Sequence, residues 1–185
     1  MLIFIACFDE EDFIVEKMKN LQELEYDKEK IEVYFLDGLS TDQTRAKIQE
    51  VAKNIPNWHL VETSCKGKIN QLNYGLSHFQ ERADIIVSTD VDTILSKDIL
   101  LLFAKEFQAN SRTALVGANI SPDSCIPLDQ DHWQVQNIIR TIESKVFTSS
   151  IVVAPCYAFK STLLEQFPTD CVADDVYIAF KANTE

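Results

Sequence analysis

The run Ile85-Ile86-Val87-Ser88-Thr89 ends in two carboxylates one residue apart, Asp90 and Asp92, and few stretches of a chain limit its fold so sharply. A short apolar run, rich in β-branched residues and bounded by polar sequence, reads as a strand covered on both faces, as in a parallel sheet. In open α/β sheets ligands bind beyond the carboxyl ends of the strands, so Asp-Val-Asp there is placed for chemistry. Oxygen-only ligands favour a hard cation. Mg²⁺ in particular is held by one or two carboxylates, with waters and substrate phosphates completing its octahedron. The plain alternative is a solvated acidic turn, because an isolated D-x-D is a weak motif.

The rest of the chain repeats the same alternation. Apolar runs of strand length occur at residues 2–8, 31–36, 58–63, 113–118 and 151–159. Between them, apolar residues recur at helical spacing: Phe13, Ile14, Met18, Leu21 and Leu24; Ala46, Ile48, Val51 and Ala52; Ile69, Leu72, Leu76 and Phe79; Ile99, Leu100, Phe103 and Phe107. Ser40 or Thr41 is suited to cap the second of these helices and Ser96 the fourth. Repeated β-α-β units imply one α/β domain with a mostly parallel sheet and helices on both faces, a Rossmann-like arrangement. Residues 119–131, with two prolines, read as a functional loop or a break in the winding. Residues 133–147 read as a helix whose Trp133, Val135, Ile138, Ile139, Ile142 and Val146 pack inward, and Pro155 places the last strand at an edge or a kink.

Charge and cysteine usage then narrow the function classes. A net charge of -12 and a pI near 4.6 over 185 residues oppose nucleic acid or an anionic membrane as partner, since either needs a basic face. An anionic substrate therefore requires local help, from a bound cation and from Lys66 and Lys68 on either side of Gly67. Cys7, Cys65, Cys125, Cys156 and Cys171 are odd in number, scattered and without C-x-x-C, which argues against a disulfide framework and zinc and fits a reducing cytoplasm. Residues 1–8 are too short, and lack the basic leader, for a signal peptide or membrane span. No G-x-G-x-x-G or G-x-x-x-x-G-K-[ST] follows any strand, which speaks against a dinucleotide cofactor and a P-loop. His59, His78 and His132 have no partner in the pattern and receive no role.

Four blocks, in order, resemble the family 2 glycosyltransferases, inverting enzymes of GT-A fold. Residues 5–11, Ile-Ala-Cys-Phe-Asp-Glu-Glu, are similar to that family's opening I-P-A-Y-N-E-E, with its proline and asparagine replaced. Asp37-Gly38-Leu39-Ser40-Thr41-Asp42-Gln43-Thr44 resembles D-D-G-S-T-D-G-T, in which the first acid faces the donor nucleotide. Residues 67–76 resemble G-K-x-x-A-L-N-x-G-L and lead to Asp90-Val91-Asp92, which matches the metal-binding D-x-D. Tyr157-Ala158-Phe159-Lys160-Ser161 resembles A-F-R-R-S, and Ala173-Asp174-Asp175 resembles T-E-D, whose last acid is the catalytic base. The departures are Gly38 and Leu39 in the D-D-G turn and Asp174 for the usual glutamate. The Q-x-x-R-W motif and membrane helices of processive members are absent, so the expectation is a single catalytic domain spanning 1–185, cut short at its C-terminus.

The resemblance implies transfer of a sugar from a nucleotide-sugar, most plausibly a UDP-sugar, to an acceptor hydroxyl with inversion. Asp90 and Asp92 would hold Mg²⁺ or Mn²⁺, Lys68 would add a second positive contact to the diphosphate, and Asp175 would take the acceptor proton. Asp9 and Asp37 would line the nucleoside pocket, with helix capping an equal alternative, and capping is the plain reading of one of Asp174 and Asp175. The acceptor would be a saccharide or a lipid-linked sugar, as in polysaccharide biosynthesis. The enzyme would work in the cytoplasm or at the cytoplasmic face of a membrane, reached only through segments outside this chain. Two other classes remain: a sugar-phosphate nucleotidyltransferase, whose G-x-G-x-R is replaced here by Asp9-Glu10-Glu11, and a nucleotide-binding domain without turnover.

Overall fold

The computed structural model describes residues 1–121, 127–146 and 155–184. Six strands, β1 (Leu2–Cys7), β2 (Glu32–Asp37), β3 (Trp58–Glu62), β4 (Ile85–Thr89), β5 (Leu115–Gly117) and β6 (Cys156–Lys160), form one sheet in the order β3-β2-β1-β4-β6-β5. The first four are parallel, while β6 runs antiparallel to both β4 and β5. Six helices accompany them: α1 (Ile14–Gln22), α2 (Thr44–Ala52), α3 (Lys68–Phe79), α4 (Ile99–Ala109), α5 (Pro127–Val146) and α6 (Asp174–Thr184).

The continuous apolar character of β1 has a direct cause. Ile3, Ile5 and Cys7 enter one core with Ile14, Met18 and Leu21 of α1, Ile48 of α2, and Leu100, Phe103 and Phe107 of α4. Leu2 and Phe4 enter a second core with Leu72 and Leu76 of α3 and Ile178 and Ala179 of α6. A strand sandwiched this way has no solvent side, so alternation disappears from its sequence. Each fully buried Leu, Ile or Phe contributes about 1.5–3 kcal/mol relative to exposure.

Four expectations are corrected. β6 is an interior strand, because it begins after Pro155 and the missing N–H falls at its boundary; residues 151–154 lie outside the described residues. Residues 127–131, read as loop, belong to α5. The face of α5 bearing Val135, Ile138, Ile139 and Ile142 is exposed rather than packed, as is Phe13 before α1. The capping hydroxyls act elsewhere: α2 is preceded by Gln43 and α4 by Asp98, neither with a side-chain cap, and Ser96 contributes its carbonyl to the Ile99 amide at 3.1 Å. Two of the histidines, His59 and His78, also acquire partners. His59 lies against Tyr34 and His78 stacks on Tyr74.

The D-D-G departure has a tertiary explanation. The Gln71 side-chain amide donates to the Cys7 carbonyl at 2.7 Å and the Leu36 carbonyl at 2.6 Å, joining the ends of β1 and β2. A Cβ on Gly38 would stand 2.8 Å from that same nitrogen. The resembling pattern carries an acid and an alanine at these two positions, so the two departures face each other and compensate. Gly38→Ala is expected to destabilise the domain by about 1–3 kcal/mol, since the two bonds pin Gln71 in place. In Gln71→Ala the same change should cost at least about 1 kcal/mol less, a coupling measurable by urea denaturation of the four-variant cycle. Additive costs would show that the contact is not strained.

Candidate active site

The parallel strands β1, β2 and β4 all deliver their carboxyl ends to one edge, and β6 begins at that edge because Cys156 pairs with Thr89. At the end of β2, Asp37 is fully buried. Its Oδ2 accepts from the amides of Leu39 and Ser40, each at 3.1 Å, and faces the Arg45 guanidinium at 3.8 Å. Its Oδ1 has no hydrogen-bond partner among the described residues. Leaving a buried polar atom unpaired costs about 1–3 kcal/mol, so an unpaired oxygen at the carboxyl end of a strand invites a donor group from a ligand. Leu39 completes this turn at φ 69, where the resembling pattern has glycine.

Asp9 does something different. Also left-handed at φ 52, it accepts at Oδ1 from the Thr41 amide at 2.7 Å, while its own amide donates to Ser40 Oγ at 3.0 Å. The Glu10 amide donates to Thr44 Oγ1 and the Glu11 amide to Asp42 Oδ2, at 2.8 and 3.0 Å. These bonds clasp the loops after β1 and β2 together. Asp9 thus clamps the two loops through Oδ1, and it does not cap α1, whose first residue follows Phe13 without a side-chain cap. Beside it, the half-exposed Phe8 ring carries the Lys66 ammonium 4.3 Å from its centroid.

Lys68 opens α3 behind Gly67, which takes φ 101 at the turn. Its ammonium lies 2.7 Å from Asp90 Oδ1 and 3.3 Å from Asp174 Oδ1, so acids from the end of β4 and the start of α6 converge on one cation. Asp174 Oδ2 accepts from the buried Tyr157 hydroxyl at 2.6 Å. Burial works to lower the Lys68 ammonium, but Asp174 and Asp90 outweigh it and hold its pKa above the usual value. Asp90 is also raised, by burial first and by Asp174 and Asp92, despite the Lys68 contact. A simple ion pair would move the two partners in opposite directions. Here one ammonium is shared among several acids, so the pocket carries negative charge in excess. Glu10 is raised as well, by burial and by Asp92, Asp42 and Asp90.

Asp92 is exposed on the turn beyond Asp90, and Asp175 is half-buried one residue after Asp174, where its charge is felt by the Arg140 guanidinium of α5. Among the described residues no group of three or more His, Cys, Asp or Glu side chains is arranged around a metal position. The donor set still fits a hard cation that takes one or two carboxylates and completes its shell from a diphosphate and water.

A family model described as glycosyl transferase family 2 matches residues 2–167, most of the chain. The chain belongs to this family. A mannosyltransferase from Pyrobaculum calidifontis, solved with GDP-Man and Mn²⁺, is similar at a TM-score of 0.81 and 31% identity over 98% of this chain and 51% of that one. Staphylococcus aureus TarS, solved as residues 1–349 with UDP-GlcNAc, shares the fold at a TM-score of 0.64 and 21% identity, over 98% of this chain and 52% of that one. Poly-beta-1,6-N-acetyl-D-glucosamine synthase from S. aureus (strain MSSA476) is 29% identical over 139 residues, 75% of this chain and 31% of that protein. The chain thus spans from a third to a half of these relatives.

For this family 2 glycosyltransferase domain, the fold is the GT-A sheet expected from the sequence. The family match ends before Asp174 and Asp175; Asp174 joins the cluster through Tyr157 and Lys68, and Asp175 follows it in the first turn of α6. Sequence reasoning missed Tyr157 as a partner of Asp174, Gln71 as the tie beneath the β1 and β2 ends, and Lys17, which is buried under the Asp90 turn. A long polar side chain on the apolar face of α1 was the available signal for Lys17. Among the described residues, no helix is long and apolar enough to cross a membrane.

Proposed function

We propose that residues 1–185 are a donor-binding catalytic domain that transfers a sugar from a nucleotide-sugar to an acceptor hydroxyl by a single inverting displacement. The observation that carries this reading is the convergence of Asp90 and Asp174 on Lys68 at the sheet edge where Asp37 keeps a buried, unpartnered oxygen. Asp37 Oδ1 accepts an N–H of the nucleobase, and Phe8 offers its exposed face to the base. Lys68 and the amides at the start of α3 receive the diphosphate. Asp90 and Asp92 hold Mg²⁺ or Mn²⁺, whose charge would offset the negative charge gathering on the departing diphosphate. Asp174, bound to Tyr157 and Lys68, is committed to holding the site together. Asp175 lies beside it with its carboxylate outside that network, and it serves as the base that takes the acceptor proton.

A UDP-sugar is the donor favoured by this reading, with the GDP-Man of the Pyrobaculum relative as the direct competitor. The acceptor is a saccharide or lipid-linked sugar, and membrane attachment comes only from segments outside these residues, which work on the cytoplasmic side. The test incubates the protein with UDP- and GDP-sugars in Mn²⁺ or Mg²⁺ and follows release of the nucleoside diphosphate. One donor should be hydrolysed slowly above the protein-free rate. No release and no binding for any donor would overturn the reading, and pyrophosphate formed from a nucleoside triphosphate and a sugar phosphate would replace it with nucleotidyl transfer.

A further inference from the structure

The segment carrying Asp90 and Asp92 is held from beneath by one helix. Lys17 of α1 has no exposed surface, and its ammonium donates to Thr89 Oγ1 at 2.9 Å and to the Thr93 carbonyl at 2.7 Å. These two partners bracket the Asp90-Val91-Asp92 turn. One turn further along α1, the Asn20 side chain donates to the Leu95 carbonyl and accepts from the Leu95 amide, both at 2.8 Å. Beyond the helix, the Glu25 amide reaches the Lys97 carbonyl at 2.6 Å. Residues 89–97 therefore follow α1 and the segment after it through five hydrogen bonds from three residues, of which Lys17 alone spans the acid pair.

The geometry points to Lys17 as a positioning residue that fixes the shape of the Asp90-Val91-Asp92 turn for the cation and diphosphate, an inference that rests on the proposed role of those two acids. Packing alone does not explain a lysine at this place. A buried ammonium is costly unless a carboxylate pairs with it, and both hydrogen-bond partners of Lys17 are neutral. Methionine would fill the same unbranched space without that penalty. Burial accordingly draws the ammonium down to about 8, against Cys156, Asp90, Asp92 and Cys7, which favour its charged form. What a lysine supplies and a methionine does not is a pair of directed bonds to either end of the turn, together with positive charge beneath two acids that repel each other. A turn preset in this way has less conformational freedom to lose when it closes on its ligand.

The test compares wild type with Lys17→Met in the 185-residue chain using two readouts. The first is hydrogen exchange of the amides at 90–95, read without metal. The second is the affinity for Mn²⁺ in the presence of UDP, read from the electron paramagnetic resonance signal of free Mn²⁺. With the melting temperature equal to or above wild type, exchange at 90–95 should quicken about tenfold while the amides of β1 stay protected, and Mn²⁺ affinity should fall about tenfold. Exchange and affinity both unchanged would overturn the proposal. A stable variant with faster exchange but unaltered Mn²⁺ affinity would overturn it too, since the tether would then not serve the acids. If wild type itself fails to bind Mn²⁺ with UDP or GDP, the cation reading fails. The exchange arm then decides the tether alone. Should Lys17→Met not fold, Thr89→Val removes one of the two bonds while keeping the lysine, and the same pair of readouts applies with the same outcomes.

Discussion

Asp175→Asn should slow sugar transfer to the acceptor by about 10² to 10⁴, the usual contribution of a positioned base, while leaving nucleotide affinity within about threefold. Asparagine keeps the size of the side chain and one acceptor oxygen, so the packing around it is retained and only proton acceptance is lost. The donor side is insulated from the change because Asp90, Lys68 and Asp174 hold one another through contacts that do not involve Asp175. Asp174→Asn separates the two roles. It keeps an acceptor for Tyr157 but removes a charge from Lys68, so its effect should fall on donor binding rather than on the proton-transfer step. Single-turnover transfer beside equilibrium nucleotide binding reads both variants. Transfer by Asp175→Asn at the unmodified rate would move the base elsewhere.

The second large effect is on stability. A matching nucleoside diphosphate at a hundredfold excess over its dissociation constant should stabilise the domain by about 2.7 kcal/mol, but only with Mg²⁺ or Mn²⁺ present. For a chain of this size that is a rise in melting temperature of about 5–10 °C. The dependence follows from the charge count at the sheet edge. Asp90 and Asp174 meet Lys68 there, with Asp92 and Glu10 close enough to add their charge, and burial and mutual repulsion already raise the pKa values of Asp90 and Glu10. A diphosphate entering without a cation would add to that excess. EDTA should abolish the stabilisation, and so should Asp92→Ala, without unfolding the protein, because its loss relieves repulsion on Glu10 and Asp90. Equal stabilisation with and without EDTA would exclude the cation from the donor site.

Local sequence was sufficient for much of this. Strands buried on both faces are apolar over most of their length, so β1, β2 and β4 were legible in the sequence, and the acids at their carboxyl ends had to emerge at one edge once the strands ran parallel. Helical spacing marked the inner faces of α1, α3 and α4 for the same reason: periodicity records which side of an element lacks water. It does not record what lies across from that side. The Val135, Ile138, Ile139 and Ile142 face of α5 has the period of a packed helix and is exposed. Nor does local sequence set the direction of a strand. β6 enters antiparallel between β4 and β5, and its register places Tyr157 opposite Ser88, where its hydroxyl can reach Asp174.

The candidate site divides along the same line. Asp37, Lys68, Asp90, Asp92 and Asp175 could each be singled out, since carboxylates at strand ends and a lysine at a helix start carry a local chemical meaning. Their partnerships could not. Lys68 meets Asp174 across more than a hundred residues, Lys17 meets Thr89 across 72, and Gln71 meets Leu36 across 35. Such contacts are fixed by how helices seat on a sheet, and nothing in the nearby sequence of either partner encodes them. Asp9 illustrates the limit most plainly. Its place after β1 marks it for a pocket or a helix cap, and only the approach of the neighbouring loop decides that its Oδ1 bonds to the Thr41 amide.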